Sequence, residues 1–534
     1  MSLMSVATKE ELPATDASEA AAPLPDARVL EDKTPLWFRS TAASAAFTVV
    51  IGFVFVIFAN MRLWHTDLWD HVNYGNVIRS TGAIPETEPL LPLAEGVRMT
   101  NLAWLSQFGF AWLADAAGLP ALQFFYGLLI AACLACVAFR TVRNSRSVLA
   151  GILAVGFLVG VNLPQFLVIR PQLAGMVFYC VILAWALGRP RITRTTYLIF
   201  AVMFAVWANC HGSFTLGLTL LGLMLVGRFA DVLSVSKSLR IAIRDPQVLR
   251  QLLLIQVCGI AVLINPYGLD AYFETFRVAA NPNIDSMFEW DALTLRTTQG
   301  QRVAAGAVLM MMALKMTPRR LRAFEFLVLA LFGILALWSQ RMITWWAPAA
   351  AIITSVHVAA WVRQSHKIAR PETSGQATGL WTVVNLGLCW ILFSFTNFGI
   401  QVVRGKTPPS AQMVSRETPV QMLDWLNAQD TTPAGITFVP AEWAGFVMHS
   451  GPSDLQSMVN LHVHVIPQEV WTDYLRLLSG PADWSGILDR YRINLVILDK
   501  DRQPGLLQKL QGSDEWQPVF NDHQAAVFER IAAL

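Results

Sequence analysis

The chain has 534 residues, of which 54 % are hydrophobic and 14 % charged, and its formal net charge is +3. Soluble domains carry about 25 % charged residues, so one large water-soluble core is excluded. So small a net charge gives no reason to expect a nucleic-acid partner, and the hydrophobic excess falls in runs near the roughly 20 residues that cross a bilayer.

Residues 1–36 are rich in Ala, Pro and acids and lack apolar periodicity, which predicts a disordered cytoplasmic tail. The first span, about 41–60, begins too far from Met1 and runs too long for a cleaved signal, so it reads as a retained anchor. A large outer loop, 61–118, follows. Further spans are expected near 119–139, 147–163, 172–188, 195–210, 213–230, 249–265, 302–316, 322–339, 342–361 and 380–401. The membrane part, 37–403, thus has about eleven transmembrane helices. All six cysteines, Cys133, Cys136, Cys180, Cys210, Cys258 and Cys389, lie within apolar runs. They read as packing residues rather than a disulfide framework or a zinc site.

The loops test this count independently. Arg140, Arg143 and Arg146 follow the second span, and Arg189, Arg191 and Arg194 the fourth. Lys237, Arg240, Arg244 and Arg250 surround the next such loop, then Lys315, Arg319, Arg320 and Arg322, then Arg363, Lys367 and Arg370. Every cluster lands on one side if the N-terminus is inside, so the C-terminus is expected outside.

A Pro- and Ser-containing linker, 404–419, precedes a segment of mixed pattern at 420–534. TPVQMLDWLNAQ, EVWTDYLRLL, SGILDRYR and GLLQKLQ read as helices. ITFVP, FVMHS and NLVILDK read as strands, and WQPVF with AAVFER as a terminal hairpin. A small extracytoplasmic α/β domain, large enough for its own core and able to fold without the membrane part, is expected.

Polar residues gather at the outer turns rather than mid-span. If 64–75 is a helix lying on the interface, Asp67, Asp70 and His71 share a face at i, i+3 and i+4, with Trp64 and Trp69 as headgroup anchors. The plainer alternative is an amphipathic connector with solvated acids. Arg170 and Arg341 sit at tight outer turns, where an arginine binds phosphate bidentately or else caps helix carbonyls or meets lipid headgroups. His211 in ANCHGSF reads as a phosphate donor, a proton carrier or a structural side chain. Glu289 lies in the outer FEW loop, and Asn265-Pro266-Tyr267-Gly268 is a helix stop. His462 and His464 alternate on an expected strand with no third metal ligand in view.

Asp67, Trp69, His71 and Gly75 make the pattern D-x-W-x-H-x-x-x-G, followed by IPETEPL and WLSQFGF. With ANCHGSF, INPYGL, FEW, the Ser-Gln-Arg turn, EWAGF and the closing AAVFER, the chain resembles bacterial GT-C-type, dolichyl-phosphate-mannose-like membrane glycosyltransferases over about 60–530. That group usually has D-x-W-W-H, so Asp67 matches its acid and Asp70 stands where a Trp is usual. The resemblance implies a polyprenyl-phosphate-linked sugar donor, an extracytoplasmic acceptor and a multi-pass protein of the bacterial inner membrane. It implies Asp67 or Asp70 as catalytic base, with His71, Arg170, His211, Glu289 and Arg341 binding substrate. No cofactor and no metal ligand set is implied, a divalent cation being left open. A non-catalytic lipid-linked-glycan binder or assembly partner stays open. A transporter or flippase is disfavoured by the lack of midplane charges and of a visible repeat.

Overall fold

The computed structural model describes residues 31–366, 376–430 and 433–531. Most of the expected tail, together with Lys367 and Arg370, lies outside them. Residues 31–36 do not hang free: Gly379 N donates to Asp32 Oδ2 at 2.7 Å, and Ser40 bridges Thr378.

Helix α1 is Ala42–Ala59, and α2, Asp67–Thr81, lies in the loop that follows it. Helix α3, Trp104–Ser145, breaks at Gly118 (φ 74°), just before Pro120, so only its later part corresponds to the second expected span. Then come α4 (Val148–Phe166), α5 (Gln172–Ala186), α6 (Arg194–Cys210), α7 (Phe214–Ser236), the short α8 (Leu239–Ile243), α9 (Pro246–Val262) and α10 (Asp270–Ala279). After these are α11 (Thr298–Met316), α12 (Ala323–Trp338), α13 (Ile343–His366), α14 (Gly379–Ser394) and α15 (Asn397–Arg404).

Every expected span is helical, but the number is not eleven by length and composition. Among the described residues five helices are long and apolar enough to cross a membrane, or six if α14 and α15, bent by 94°, form one broken span. Helices α5, α6, α9 and α12 are apolar but shorter, and α11 falls outside both sets, carrying Gln299, Gln301, Arg302 and Lys315 in its 19 residues.

The C-terminal segment holds a five-stranded sheet in the order β2-β1-β3-β5-β4: β1 Ile436–Phe438, β2 Gln456–Ser457, β3 Ile493–Asp499, β4 Trp516–Asn521 and β5 Ala525–Arg530. Strands β2, β1 and β3 run parallel, and β5 is antiparallel to both β3 and β4. Two elements differ from expectation. FVMHS is the end of a helix, Ala441–Ser450, because EWAGFVMHS carries its apolar residues at helical spacing between Pro440 and Gly451. The His462–His464 stretch is not a strand but a 3-10 turn, Val463–Val465.

The segment has a buried cluster largely of its own, and it also shares core with the helices. Trp443, Phe446, Leu495 and Val527 belong to one buried cluster with Trp69 of α2 and residues of α3–α13, while Leu91, Ala94 and Ile284 of the loops after α2 and α10 join the cluster that holds Phe438, Val496 and Phe528. Nor is 404–419 a free tether, since Leu63 N donates to Met413 O and Ser415 N to Leu63 O at 2.7 and 2.8 Å. Trp69, 2 % exposed, packs its ring 5.1 Å from that of Phe446 and is no headgroup anchor.

Candidate functional site

The turns between α4 and α5, α6 and α7, and α12 and α13 all open at the same end of the helices, where α2 and the C-terminal segment also lie. Between them is a cavity of about 300 Å³. Asp67, Gln172, Ser213 and Met342 on its wall stand at the first turns of α2, α5, α7 and α13. Four helix N-termini, each with the partial positive charge of the helix dipole, therefore border one space, which favours an anion there.

A chain of alternating charges crosses the wall. Arg170 Nε is 2.5 Å from Asp67 Oδ2, and its Nη1 is paired with Glu289 Oε2. Arg341 Nη1 donates to Glu289 Oε1 at 2.6 Å, and its guanidinium lies 5.1 Å from the centre of the Trp290 ring. Glu289 reaches both arginines because the FEW turn is tied to the α12–α13 turn, Gln340 N donating to Asp291 O at 3.0 Å. Burial would raise the Glu289 carboxyl, but Arg341 and Arg170 outweigh it and hold it below the usual range. Burial works against the Arg170 charge too, and the carboxylates of Asp67 and Glu289 more than offset this.

The histidines differ in kind. Burial, with the nearby cations, pushes His71 and His211 down to about 3, so both are neutral at pH 7. Ser213 N donates to His211 Nδ1 at 3.0 Å, which leaves the ring proton on Nε2. For His71, Asn101 donates to Gln107 Oε1, so the Gln107 amide faces its NH₂ toward His71 Nδ1, 3.2 Å away, with the same result. Two neutral imidazoles thus each keep an Nε2–H as a donor. Two further residues come from the C-terminal segment. The His462 ring stacks on Tyr74 at 4.4 Å and sits 4.9 Å from His71, and His464 lies beside it; both line the cavity.

Six of the expected residues, Asp67, His71, Arg170, His211, Glu289 and Arg341, line this cavity. Asp70 does not. It is fully buried under the C-terminal segment, where Leu461 N donates to its Oδ2 at 3.1 Å and its Oδ1 has no hydrogen-bond partner. Residues 70 and 71 are separated by about 100° around a helix, so the face shared by Asp67 and His71 excludes Asp70. Burial, then the nearby Asp67 charge, raises its carboxyl well above the ordinary value, so the group packs as a neutral acid rather than serving as a base at the cavity. The glycines of two motifs are explained here. A β-carbon on Gly445 of EWAGF would stand 2.5 Å from Asp70 Oδ1, and one on Gly75 would stand 2.1 Å from Gln107 O. Both glycines lie at contacts that seat α2. Gln107, His462 and His464 escaped the sequence reading as cavity residues. The only signal was that Gln107 falls inside WLSQFGF and the histidines alternate.

The buried histidines set a pH dependence. His65 and His464 are lowered to about 4 by burial, His71 and His211 to about 3, and His462 well below its usual value. Between pH 6.5 and 4 the unfolded chain binds protons that these five folded sites refuse, so they remove stability as pH falls. Asp70 and Glu88, raised by burial, act oppositely but are fewer. The unfolding temperature in detergent is expected to drop steeply from pH 6.5 to 4.5; a flat profile there would contradict the neutral-histidine assignment.

Neither a protein-family model nor a curated protein sequence matches the chain. Solved structures do. The apo oligosaccharyltransferase of Archaeoglobus fulgidus superposes with TM-score 0.54 at 11 % identity, over 88 % of this chain and 70 % of its own. Mycobacterial arabinofuranosyltransferase AftD gives 0.52 at 14 %, over 92 % of this chain and 42 % of its own. ArnT from Cupriavidus metallidurans, solved bound to undecaprenyl phosphate, gives 0.50 at 14 %, over 92 % and 98 %. At such identities the likeness speaks for the fold alone. The chain shares the α-helical fold of these three structures, and among its described residues five helices are long and apolar enough to cross a membrane.

Proposed function

We propose that this protein transfers a sugar from a polyprenyl-phosphate donor to an acceptor outside the cytoplasm of a bacterium. The observation that carries the reading is one cavity joining a carboxylate, two arginines and two neutral imidazoles at four helix N-termini. Asp67 Oδ2 is committed to Arg170, which leaves Oδ1 to take the acceptor hydroxyl proton. The acceptor oxygen bonds to the anomeric carbon as the bond from that carbon to the phosphate oxygen breaks, with inversion by analogy to the fold group. Arg170, Arg341 and the Nε2–H groups of His71 and His211 stabilise the charge left on the departing polyprenyl phosphate. Glu289 holds both arginines in place, and no metal ligand is assigned.

In this reading the cavity and the C-terminal segment, 420–534, face outward, the N-terminal tail lies in the cytoplasm, and the basic loop ends of α3, α5, α7, α11 and α13 lie on the inner side. A reporter active only outside the cytoplasm should be active after Leu534 and silent after Arg363; the reverse would overturn the orientation. Donor binding has its own assay, since Trp290 and Trp345 line the cavity. Polyprenyl phosphate should quench tryptophan fluorescence saturably. Arg341→Lys should weaken binding about tenfold, because a point charge replaces a planar fork. Unchanged affinity in that variant would remove Arg341 from the phosphate site.

A further inference from the structure

The opposite ends of the helices hold a second cluster that the proposed transfer does not use. It centres on the turn after α5. Arg322 Nη2 donates to Leu187 O at 3.1 Å, and Arg140 packs so tightly on Gly188 that a β-carbon there would lie 2.3 Å from its Nη1. Arg189 stands next in the chain, exposed, at φ 56°, a left-handed conformation that Gly or Asn adopts more cheaply. Arg319 Nη2 lies 2.6 Å from Glu325 Oε1, and Arg322 Nη2 shares that oxygen at 2.8 Å.

Of four guanidinium groups here, Arg140, Arg189, Arg319 and Arg322, only the last two reach a carboxylate, that of Glu325. Among the described residues Arg140 and Arg189 have no ion-pair partner. The Nε–H groups of Arg140 and Arg322 are buried without an acceptor, and the amide oxygen of Gln251 is buried without a donor. Arginines that only obey the positive-inside rule reach into water and leave no such groups behind. A buried donor without a partner costs about 1–3 kcal/mol, so an acceptor bound here would relieve a standing penalty.

Next to the cluster is a pocket of about 430 Å³ between α5, α7, α9 and the start of α12. Arg189, Arg228, Asp231, Gln251 and Arg322 line one side, Arg228 being paired with Asp245 and Arg189 and Arg322 left to face the recess, and Met224 and Phe324 give it an apolar side. Leu249, Leu252 and Leu253 of α9 are 50 %, 43 % and 49 % exposed beside Gln251. A basic recess bordered by bare apolar helix suits a phosphate attached to hydrocarbon better than a free anion.

We infer that this recess binds the phosphate of an anionic phospholipid at the membrane surface opposite the candidate cavity. Arg189 and Arg322 hold the phosphate oxygens, and the acyl chains lie along α9. The test uses the full chain in nanodiscs of phosphatidylcholine, alone, with phosphatidylglycerol, or with inorganic phosphate in the buffer. Phosphatidylglycerol should raise the unfolding temperature by several degrees, and inorganic phosphate should not. Arg189→Asn, which suits the left-handed backbone, should lose most of the rise. Arg244→Asn, exposed on a different loop at the same end, should keep it. Native mass spectrometry of Arg140→Gln should show less retained anionic lipid than the parent. The proposal is overturned by no rise in the parent protein, by a full rise in Arg189→Asn, or by equal loss in Arg244→Asn, which would mean general charge attraction. A rise produced by inorganic phosphate alone would overturn the lipid assignment.

Discussion

Asp67→Asn is expected to lower sugar transfer by about 10²–10⁴-fold, the usual loss when a positioned base is removed. Asparagine keeps the size of the side chain and an oxygen beside Arg170, whose Nε is 2.5 Å from Asp67 Oδ2. Arg170 also keeps its pairing with Glu289, so the cavity wall should hold its shape. Transfer in membranes, normalised to folded protein, is the measurement, with polyprenyl-phosphate binding assayed beside it. Binding should change little while transfer collapses. A protein that only holds lipid-linked glycans needs the arginines but not this carboxylate. Full activity in Asp67→Asn would remove the residue from the mechanism, and normal binding with no detectable transfer in the parent would favour the binder. Asp70→Asn is the contrasting variant. Its site packs a neutral acid beneath the C-terminal segment, so an amide there should leave transfer within a small factor of normal.

Arg170→Gln should be the most damaging change to stability at the cavity. Arg170 alone joins Asp67 to Glu289, and its side chain is 17 % exposed against 20 % for each partner. Its loss leaves two half-buried carboxylates facing the one remaining cation, Arg341. Removing one partner of a buried pair costs about 3–5 kcal/mol, and partial exposure puts this case at the lower end. The unfolding temperature in detergent should fall by several degrees and donor binding should be largely lost. Adding Glu289→Gln should recover part of the stability, because one stranded charge is removed, without restoring binding. Equal stability of Arg170→Gln and the parent would mean that the ion pairs do not organise the wall.

Much of this site was legible because its residues interrupt apolar runs. Arg170, His211, Glu289 and Arg341 each sit at a turn between hydrophobic stretches, where a polar side chain stands out and the alternation of helix direction puts every such turn at one end. The ends of the helices were also legible: Pro120 after Gly118 marks the break in α3, and Asn265-Pro266 follows the end of α9. What the sequence did not disclose depends on tertiary contact. Asp70 looked equivalent to Asp67 because both can share a face with His71 when helix angles are counted coarsely. Its burial is decided by Gly445 and Leu461, nearly 400 positions later in the chain. His462 and His464 reach the cavity only because the segment after β2 folds back over α2. The FVMHS helix was missed because a five-residue apolar run fits either period. Only the preceding AEWAG, packed on α2, settles it.

The central claim is that this cavity breaks the bond between a sugar and polyprenyl phosphate. The direct measurement gives the purified protein, in lipid nanodiscs, a panel of polyprenyl-phosphate sugars radiolabelled in the sugar, with crude extracytoplasmic glycan, lipid and protein fractions as acceptors. The account predicts that at least one donor loses its label to an acceptor and releases free polyprenyl phosphate. It predicts that Asp67→Asn does not release it at a comparable rate. Release at the same rate by the parent and by Asp67→Asn, or no release from any donor that demonstrably binds, would contradict it.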